Sequence, residues 1–242
     1  MQTPAQGQLV AITAQHLCES VEGSARLLNI GAGKSVVLET SLAEKGCSFT
    51  CDRLDIEDCV AEHPNVGSCY QCSAEHMDPL RSGAYDLVFS NYVLEHIEDL
   101  DSAIAEIYRI LKPAGLCVCS IPNPKSPEFA IARRTPLWFH RFVRGGTGWH
   151  THYSYESIRA LGERFQRAGL ETVNVAYYPF IRQYLSRFFL LRWIGALYDI
   201  LVGLIGWKAL MGNVCFVARK VAGKQASEID QPESDASAVS AQ

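Results

Sequence analysis

The chain has 242 residues, 48% of them apolar, with a formal net charge of −4 and a pI near 6.0. That length suits one domain with a sizeable core, and the acidic balance argues against a general nucleic-acid binder, which would present a basic face. A small-molecule partner is expected, and no nucleic acid.

Nine cysteines, an odd count set singly or in pairs within apolar runs, argue against a disulfide framework. Cys69 and Cys72 have Cys-x-x-Cys spacing, yet no second pair with turn residues completes a zinc site, and Tyr70 and Gln71 are poor turn formers. They are expected as small apolar residues of a reducing cytosol, with no metal bound. Met1 to Gln8 carries no positive charge and no long apolar run follows, so a secretory signal is not expected and a cytoplasmic location is.

Leu9, Ile12, Ala14, Leu17 and Val21 fall near helical spacing over 7–21, and Gly23 can end that helix. Leu27, Leu28 and Ile30 then form a short apolar run suited to a buried parallel strand, stopped abruptly by Gly31 and Gly33. Ser35 is placed to cap a helix carrying Val36, Val37, Leu38, Leu42 and Ala43, with a stop at Gly46. The next apolar segment, Cys47 to Cys51, runs into Asp52, twenty-one residues beyond Gly31. An acid at that distance is placed to accept hydrogen bonds from a ribose held over the glycine turn, with Asp55 as the fallback.

Three glycine loops compete for this turn. A phosphate-cradling loop needs Gly-x-x-x-x-Gly-Lys-Ser/Thr, and Gly33-Lys34-Ser35 supplies its end, but position 28 is Leu. A dinucleotide fingerprint needs a third glycine at position 36, which is Val. A shorter nucleoside-holding turn remains.

Residues 56–68 read as loop, and Val66 to Cys72 as a third strand ending at Ser73-Ala74-Glu75-His76. Ligands of open parallel sheets bind at the carboxyl strand ends, so Ser73 and the Ala74 amide are candidates for an adenine edge. Ala84 to Asn91 is the fourth strand, and Leu100, Ile104, Ile107 and Leu111 keep helical spacing up to Lys112-Pro113-Ala114-Gly115. Leu116 to Ile121 is the fifth strand. Alternating strand and helix is the pattern of a doubly wound α/β sheet.

Leu-Asn-Ile-Gly-Ala-Gly, the acidic end of strand two, Ser-Ala-Glu-His, Tyr-Asp-Leu-Val-Phe-Ser-Asn-Tyr-Val-Leu-Glu-His-Ile and Leu-Lys-Pro-Ala-Gly occur in the order and spacing of the methyltransferase type 11 family. The chain resembles that family over roughly residues 25–122. The resemblance implies a Rossmann-like class I methyltransferase fold, with a mostly parallel seven-stranded sheet whose last strand is antiparallel. It also implies S-adenosylmethionine as cofactor, with Asn29, Gly31, Gly33, Asp52, Ser73, Ala74 and Asn91 at positions that line it. Asn29 stands where the family usually has an acid, Ser35 where it has a third glycine, and Ser73 where it has an Asp. Tyr92 stands where metal-using quinone-type relatives carry Glu. His96, just past strand four, is the candidate catalytic base.

Residues 123–153 hold Pro124, Pro127, Pro136, Arg133, Arg134, Trp138 and a glycine cluster, a long connection placed to cover an acceptor pocket. Arg133, Arg134, Trp138 and Tyr153 are the expected acceptor contacts, and His152 a second candidate base. Ser154 is expected to cap a helix through Phe165, followed by strand six over 171–177 and a last strand over 213–219. The insertion 178–212 is rich in Phe, Leu, Ile and Trp with Arg182, Arg187, Arg192 and Lys208 between. Asp199, Lys208 and three glycines within its most apolar part argue against a membrane span, leaving a peripheral contact with the inner membrane surface, a homodimer seam or a pocket cover.

Residues 1–221 are thus read as one methyltransferase domain, with a cofactor half at about 24–122, and 222–242 as a disordered tail. The expected reaction is methyl transfer from S-adenosylmethionine to a small-molecule, glycan or lipid-linked acceptor, most simply at oxygen. The alternative is a degenerate member of the same fold acting as a binding or interaction subunit.

Overall fold

In a computed structural model, which describes residues 3–20, 23–60, 62–127, 129, 154–185 and 189–221, the chain forms an α/β layered sheet with helices on both faces. Helix α1 spans Pro4–Ser20. Strands β1 (Ala25–Ile30), β2 (Phe49–Asp55), β3 (Val66–Gln71) and β4 (Tyr85–Asn91) follow, with α2 (Val37–Glu44) between the first two. Next come α3 (Leu100–Ile110), β5 (Leu111–Pro122), α4 (Ile158–Arg167) and β6 (Leu170–Tyr178). A four-residue α5 (Ile181–Tyr184), α6 (Phe189–Ile205) and β7 (Asn213–Lys220) complete the α-helices and strands among the described residues.

The strand order is β3-β2-β1-β4-β5-β7-β6, with β7 antiparallel to both of its neighbours and the other pairs parallel. The order reverses at β1, between β2 and β4, so the crevice for a ligand opens above the carboxyl end of β1. This is the seven-stranded sheet with an antiparallel last strand expected from the sequence.

Strand alternation divides the core in two. Leu28, Ile30, Val88, Cys117, Cys119 and Phe216 pack with α3 and α4, whereas Leu27, Leu87, Phe89, Val118, Cys215 and Val217 pack with α1 and α2. Five cysteines are buried within these layers, Cys47, Cys51, Cys117, Cys119 and Cys215, where they serve as small apolar side chains. Helix α3 turns Ala103, Ile104, Ile107 and Ile110 inward and is capped by Asp99, whose carboxylate accepts from the Ser102 amide at 3.1 Å.

Several boundaries differ from their sequence expectations. The Lys112-Pro113-Ala114-Gly115 turn lies within β5 as an irregularity: Tyr85 pairs with Leu111 and Leu87 with Leu116, and Ala114 takes a positive φ of 64°. Helix α2 begins after Val36 without a side-chain cap, the Ser35 hydroxyl accepting only a 3.4 Å contact from the Val37 amide. Helix α4 is capped by Ser157, which accepts from the Ala160 amide at 3.1 Å, while the Ser154 hydroxyl donates to the Ile97 carbonyl. Ser154 therefore ties the start of that segment to the loop after β4. The expected tail, 222–242, lies outside the described residues.

Candidate functional site

A cavity of about 430 Å³ opens at the carboxyl ends of β1, β2, β3 and β4. Its floor is the turn after β1. Gly31 and Gly33 both have positive φ, 68° and 54°, and the Gly31 and Ala32 amides donate to the Leu54 carbonyl at 2.8 and 3.2 Å. A Cβ on Gly31 would stand 2.2 Å from Val93 Cγ2, so the β4 loop closes directly on a glycine that has no room for a side chain.

From below, the turn is held by Arg53. That side chain is fully buried, and its Nη2 donates to the carbonyls of Ala32 at 2.7 Å and Ser35 at 2.7 Å, with a longer 3.4 Å contact to Gly33. Its Nε lies 3.5 Å from the equally buried Glu39 carboxylate of α2, and Glu39 also accepts from Asn29 Nδ2 at 2.8 Å. Asn29 was expected at the cofactor. It instead points into the layer beneath the turn, because residues 28 and 30 of β1 belong to the opposite face of the sheet.

Asp52 is likewise displaced from its expected place. It sits in mid-strand and is 3% exposed, accepting from Arg26 Nη2 at 2.9 Å, the Ser68 amide at 2.9 Å and the Tyr85 hydroxyl at 2.8 Å. Burial, with the hydrogen bond to Asp52, pushes the Tyr85 phenol well above its ordinary pKa, so it stays protonated as the donor. The strand runs three residues further than expected, about 10 Å at the usual rise, and ends on Asp55. The Asp55 carboxylate lines the cavity, accepting from the Gly33 amide at 2.8 Å and the Glu57 amide at 3.0 Å. Each oxygen keeps a lone pair for a further donor.

On the opposite wall, Ser73 and Ala74 lie at the end of β3 as expected, the Ser73 hydroxyl accepting from the Glu75 amide at 3.1 Å. Glu75 in turn accepts from the amides of Glu98 and Asp99 at 3.1 and 2.9 Å, joining the loops after β3 and β4. Asn91 lines the cavity at the end of β4, and its Oδ1 is buried without a hydrogen-bond partner among the described residues. An unpaired carbonyl on a residue that lines the cavity calls for a donor that the described residues do not supply.

Tyr92, next in the chain, has φ of 56°, an unusual conformation for a bulky residue and one that gathers at functional sites. Its hydroxyl bonds both Thr3 at the start of α1 and Asn213 at the start of β7. Nothing in the local sequence signals that strain. His96 follows on the same wall, its side chain 31% exposed, with Nε2 4.0 Å from the Glu95 carboxylate.

The cavity is acidic. Asp55, Glu57, Glu75 and Glu98 line it, and no Lys or Arg does so among the described residues. Partly enclosed carboxylates of one sign favour a cationic ligand and oppose a phosphate. Among those residues no three His, Cys, Asp or Glu side chains gather as a metal site. Arg133, Arg134, Trp138, His152 and Tyr153, expected at the acceptor, lie outside the described residues.

Residues 5–175 match a family model described as a methyltransferase domain. The chain is 31% identical over 166 residues to a malonyl-[acyl-carrier protein] O-methyltransferase of Geobacter sulfurreducens, covering 65% of this chain and 59% of that protein. It is 26% identical over 153 residues to a ubiquinone biosynthesis O-methyltransferase of Cereibacter sphaeroides, 62% of this chain and 61% of the relative. The chain thus spans about three-fifths of the length of these curated relatives. An S-adenosylmethionine-dependent methyltransferase from Mesorhizobium loti has the same fold, with a TM-score of 0.60, 16% identity and coverage of 89% of this chain and 98% of that one.

Proposed function

This chain belongs to the methyltransferase domain family, and from that premise we propose that it moves the methyl group of S-adenosylmethionine onto an oxygen of a small or lipid-linked acceptor. The observation that carries the reading is the acidic cavity at the reversal of strand order, lined by Asp55 at the end of β2 and Asn91 at the end of β4. A ligand with a sulfonium and an ammonium group meets that field favourably, whereas the pyrophosphate of a nicotinamide dinucleotide does not. When bound, the cofactor supplies a methyl group on a good leaving sulfur. Asp55 would accept from the ribose hydroxyls, the Ser73 and Ala74 segment would flank the adenine, and Asn91 would lie beside the amino-acid end.

Displacement at a sulfonium asks the protein mainly to align donor and acceptor and exclude water. His96, on the cavity wall, takes the acceptor proton. Because the leaving group needs no protonation, His96→Gln is expected to lower turnover by only about tenfold, roughly 1.4 kcal/mol in barrier, with affinity for S-adenosylhomocysteine unchanged. A variant as active as the parent would remove His96 from the reaction.

The direct test is titration calorimetry with S-adenosylmethionine and S-adenosylhomocysteine. Asp55→Ala is expected to weaken both by at least about tenfold, or 1.4 kcal/mol, with little effect on folding. Asp52→Ala should show the converse pattern, a lowered unfolding midpoint with affinity kept in the fraction that stays folded. Equal weakening by both variants would contradict the assignment of the ribose to Asp55, and no heat from either ligand with the parent chain would refute the cofactor reading.

A further inference from the structure

Helix α6 is the most apolar of the described helices, and it is poorly covered. Of its 17 residues only Gly195 and Val202 are buried. Phe189, Leu190, Trp193, Ile194, Leu204 and Ile205 are each 60–80% exposed. Helices of water-facing surfaces show an apolar stripe on one side and charge on the other, but here hydrocarbon occupies nearly the whole outward arc.

The inward side explains how the helix is held. Gly195 lies against α5, where a Cβ would meet the Arg182 backbone at 2.9 Å. The Asp199 carboxylate accepts from the Ile181 and Arg182 amides at 3.0 and 2.9 Å, and the Tyr198 hydroxyl donates to the Leu210 carbonyl at 3.1 Å. The acid of this helix is therefore spent on docking it. What faces outward is apolar or basic: Arg182 and Lys208 are exposed, and the Arg192 guanidinium rests over the rings of Phe189 and Trp193, 5.6 and 5.4 Å from their centroids.

In sequence, residues 178–212 hold four bases against one acid, in a chain of net charge −4. Two copies meeting through this surface in a two-fold pair would bring base against base. An anionic lipid surface offers the complementary charge, hydrocarbon depth for the leucines and an interface for Trp193 and Trp207. Among the described residues no helix is long and apolar enough to cross a membrane, and the contacts of Tyr198 and Asp199 anchor this one to the body. The geometry points to α6 as an in-plane amphipathic anchor that seats the protein on an anionic bilayer.

The insertion leaves and rejoins the sheet at the same edge as the cavity: β6 ends at Tyr178, β7 begins at Asn213, and Asn213 bonds the cavity residue Tyr92. Seating α6 on a bilayer therefore brings that edge toward the lipid, and if the transferase reading above holds, the acceptor is one that resides in or partitions into the membrane.

The test is co-sedimentation of the full chain with phosphatidylcholine vesicles containing phosphatidylglycerol, against pure phosphatidylcholine, without cofactor. At least tenfold stronger partition into the anionic vesicles is expected, weakening as salt is raised. Leu197→Glu with Leu204→Glu should reduce partition at least tenfold. Arg182→Glu with Lys208→Glu should abolish the anionic preference, and circular dichroism and the thermal midpoint should be unchanged in both pairs. Should the apolar pair unfold the chain, the charge pair and the salt series decide. No sedimentation of the parent, equal partition into both vesicles, or a stable dimer split by the apolar pair would overturn the assignment. Cofactor titration is read separately, so either result can fail alone.

Discussion

Arg53→Met is expected to lower folding stability by about 3–5 kcal/mol, because removing one partner of a buried ion pair leaves the other charge uncompensated. Glu39 is fully buried and would keep only the 2.8 Å bond from Asn29. The carbonyls of Ala32 and Ser35 would lose their 2.7 Å donors at the same time. Urea denaturation reads the loss as a fall in midpoint at constant slope. Pairing the change with Glu39→Leu removes the stranded carboxylate and should recover much of the stability, since apolar replacement of a buried pair is often neutral or better. Affinity for S-adenosylhomocysteine should not recover with it, because the glycine turn is still unheld. A single-variant cost under about 1 kcal/mol would show that the pair contributes little, in the range of exposed pairs. Full recovery of affinity in the double variant would show that Arg53 acts on stability alone.

Gly31→Ala is the second large effect. The residue sits at φ of 68°, which costs an alanine about 1–2 kcal/mol, and its new Cβ would stand 2.2 and 2.9 Å from the two methyls of Val93. Overpacking of that kind adds about 1–3 kcal/mol. Both residues line the cavity, so the displaced Val93 moves the wall as well as the floor. Affinity for S-adenosylhomocysteine is expected to fall about a hundredfold, near 2.7 kcal/mol. Adding Val93→Ala removes the two methyls and should restore the steric part while leaving the backbone part, an interaction energy that a double-mutant cycle isolates. Parent-like affinity in Gly31→Ala would mean that this turn does not form the cofactor floor.

Much of this architecture was legible in the chain. Leu27 to Ile30 stopped by two glycines, and the apolar spacing of Leu100, Ile104 and Ile107, report local preferences that tertiary contacts then reinforce. Strand ends were harder to place. A polar residue at position 52 looks like the end of an apolar run, yet Tyr85 from β4 and Arg26 from β1 satisfy it in mid-strand, and the strand continues to Asp55. Tyr92 gave no local sign of its left-handed backbone, and its hydroxyl finds its partners far away in the chain, at residues 3 and 213.

By itself, the sequence determined the alternation of strands and helices, the glycine turn after β1, the family to which they belong and the apolar, basic character of residues 178–212. These follow from side-chain period, backbone freedom and composition, all of which act over a few residues. Only the tertiary structure decided which carboxylate faces the cavity, that Arg53 and Glu39 turn inward beneath the turn, and that α6 is left uncovered. A charged side chain can be buried only where a distant element supplies its partner, and an apolar helix is exposed only where no element covers it. Both are set by register and packing between residues far apart in the chain.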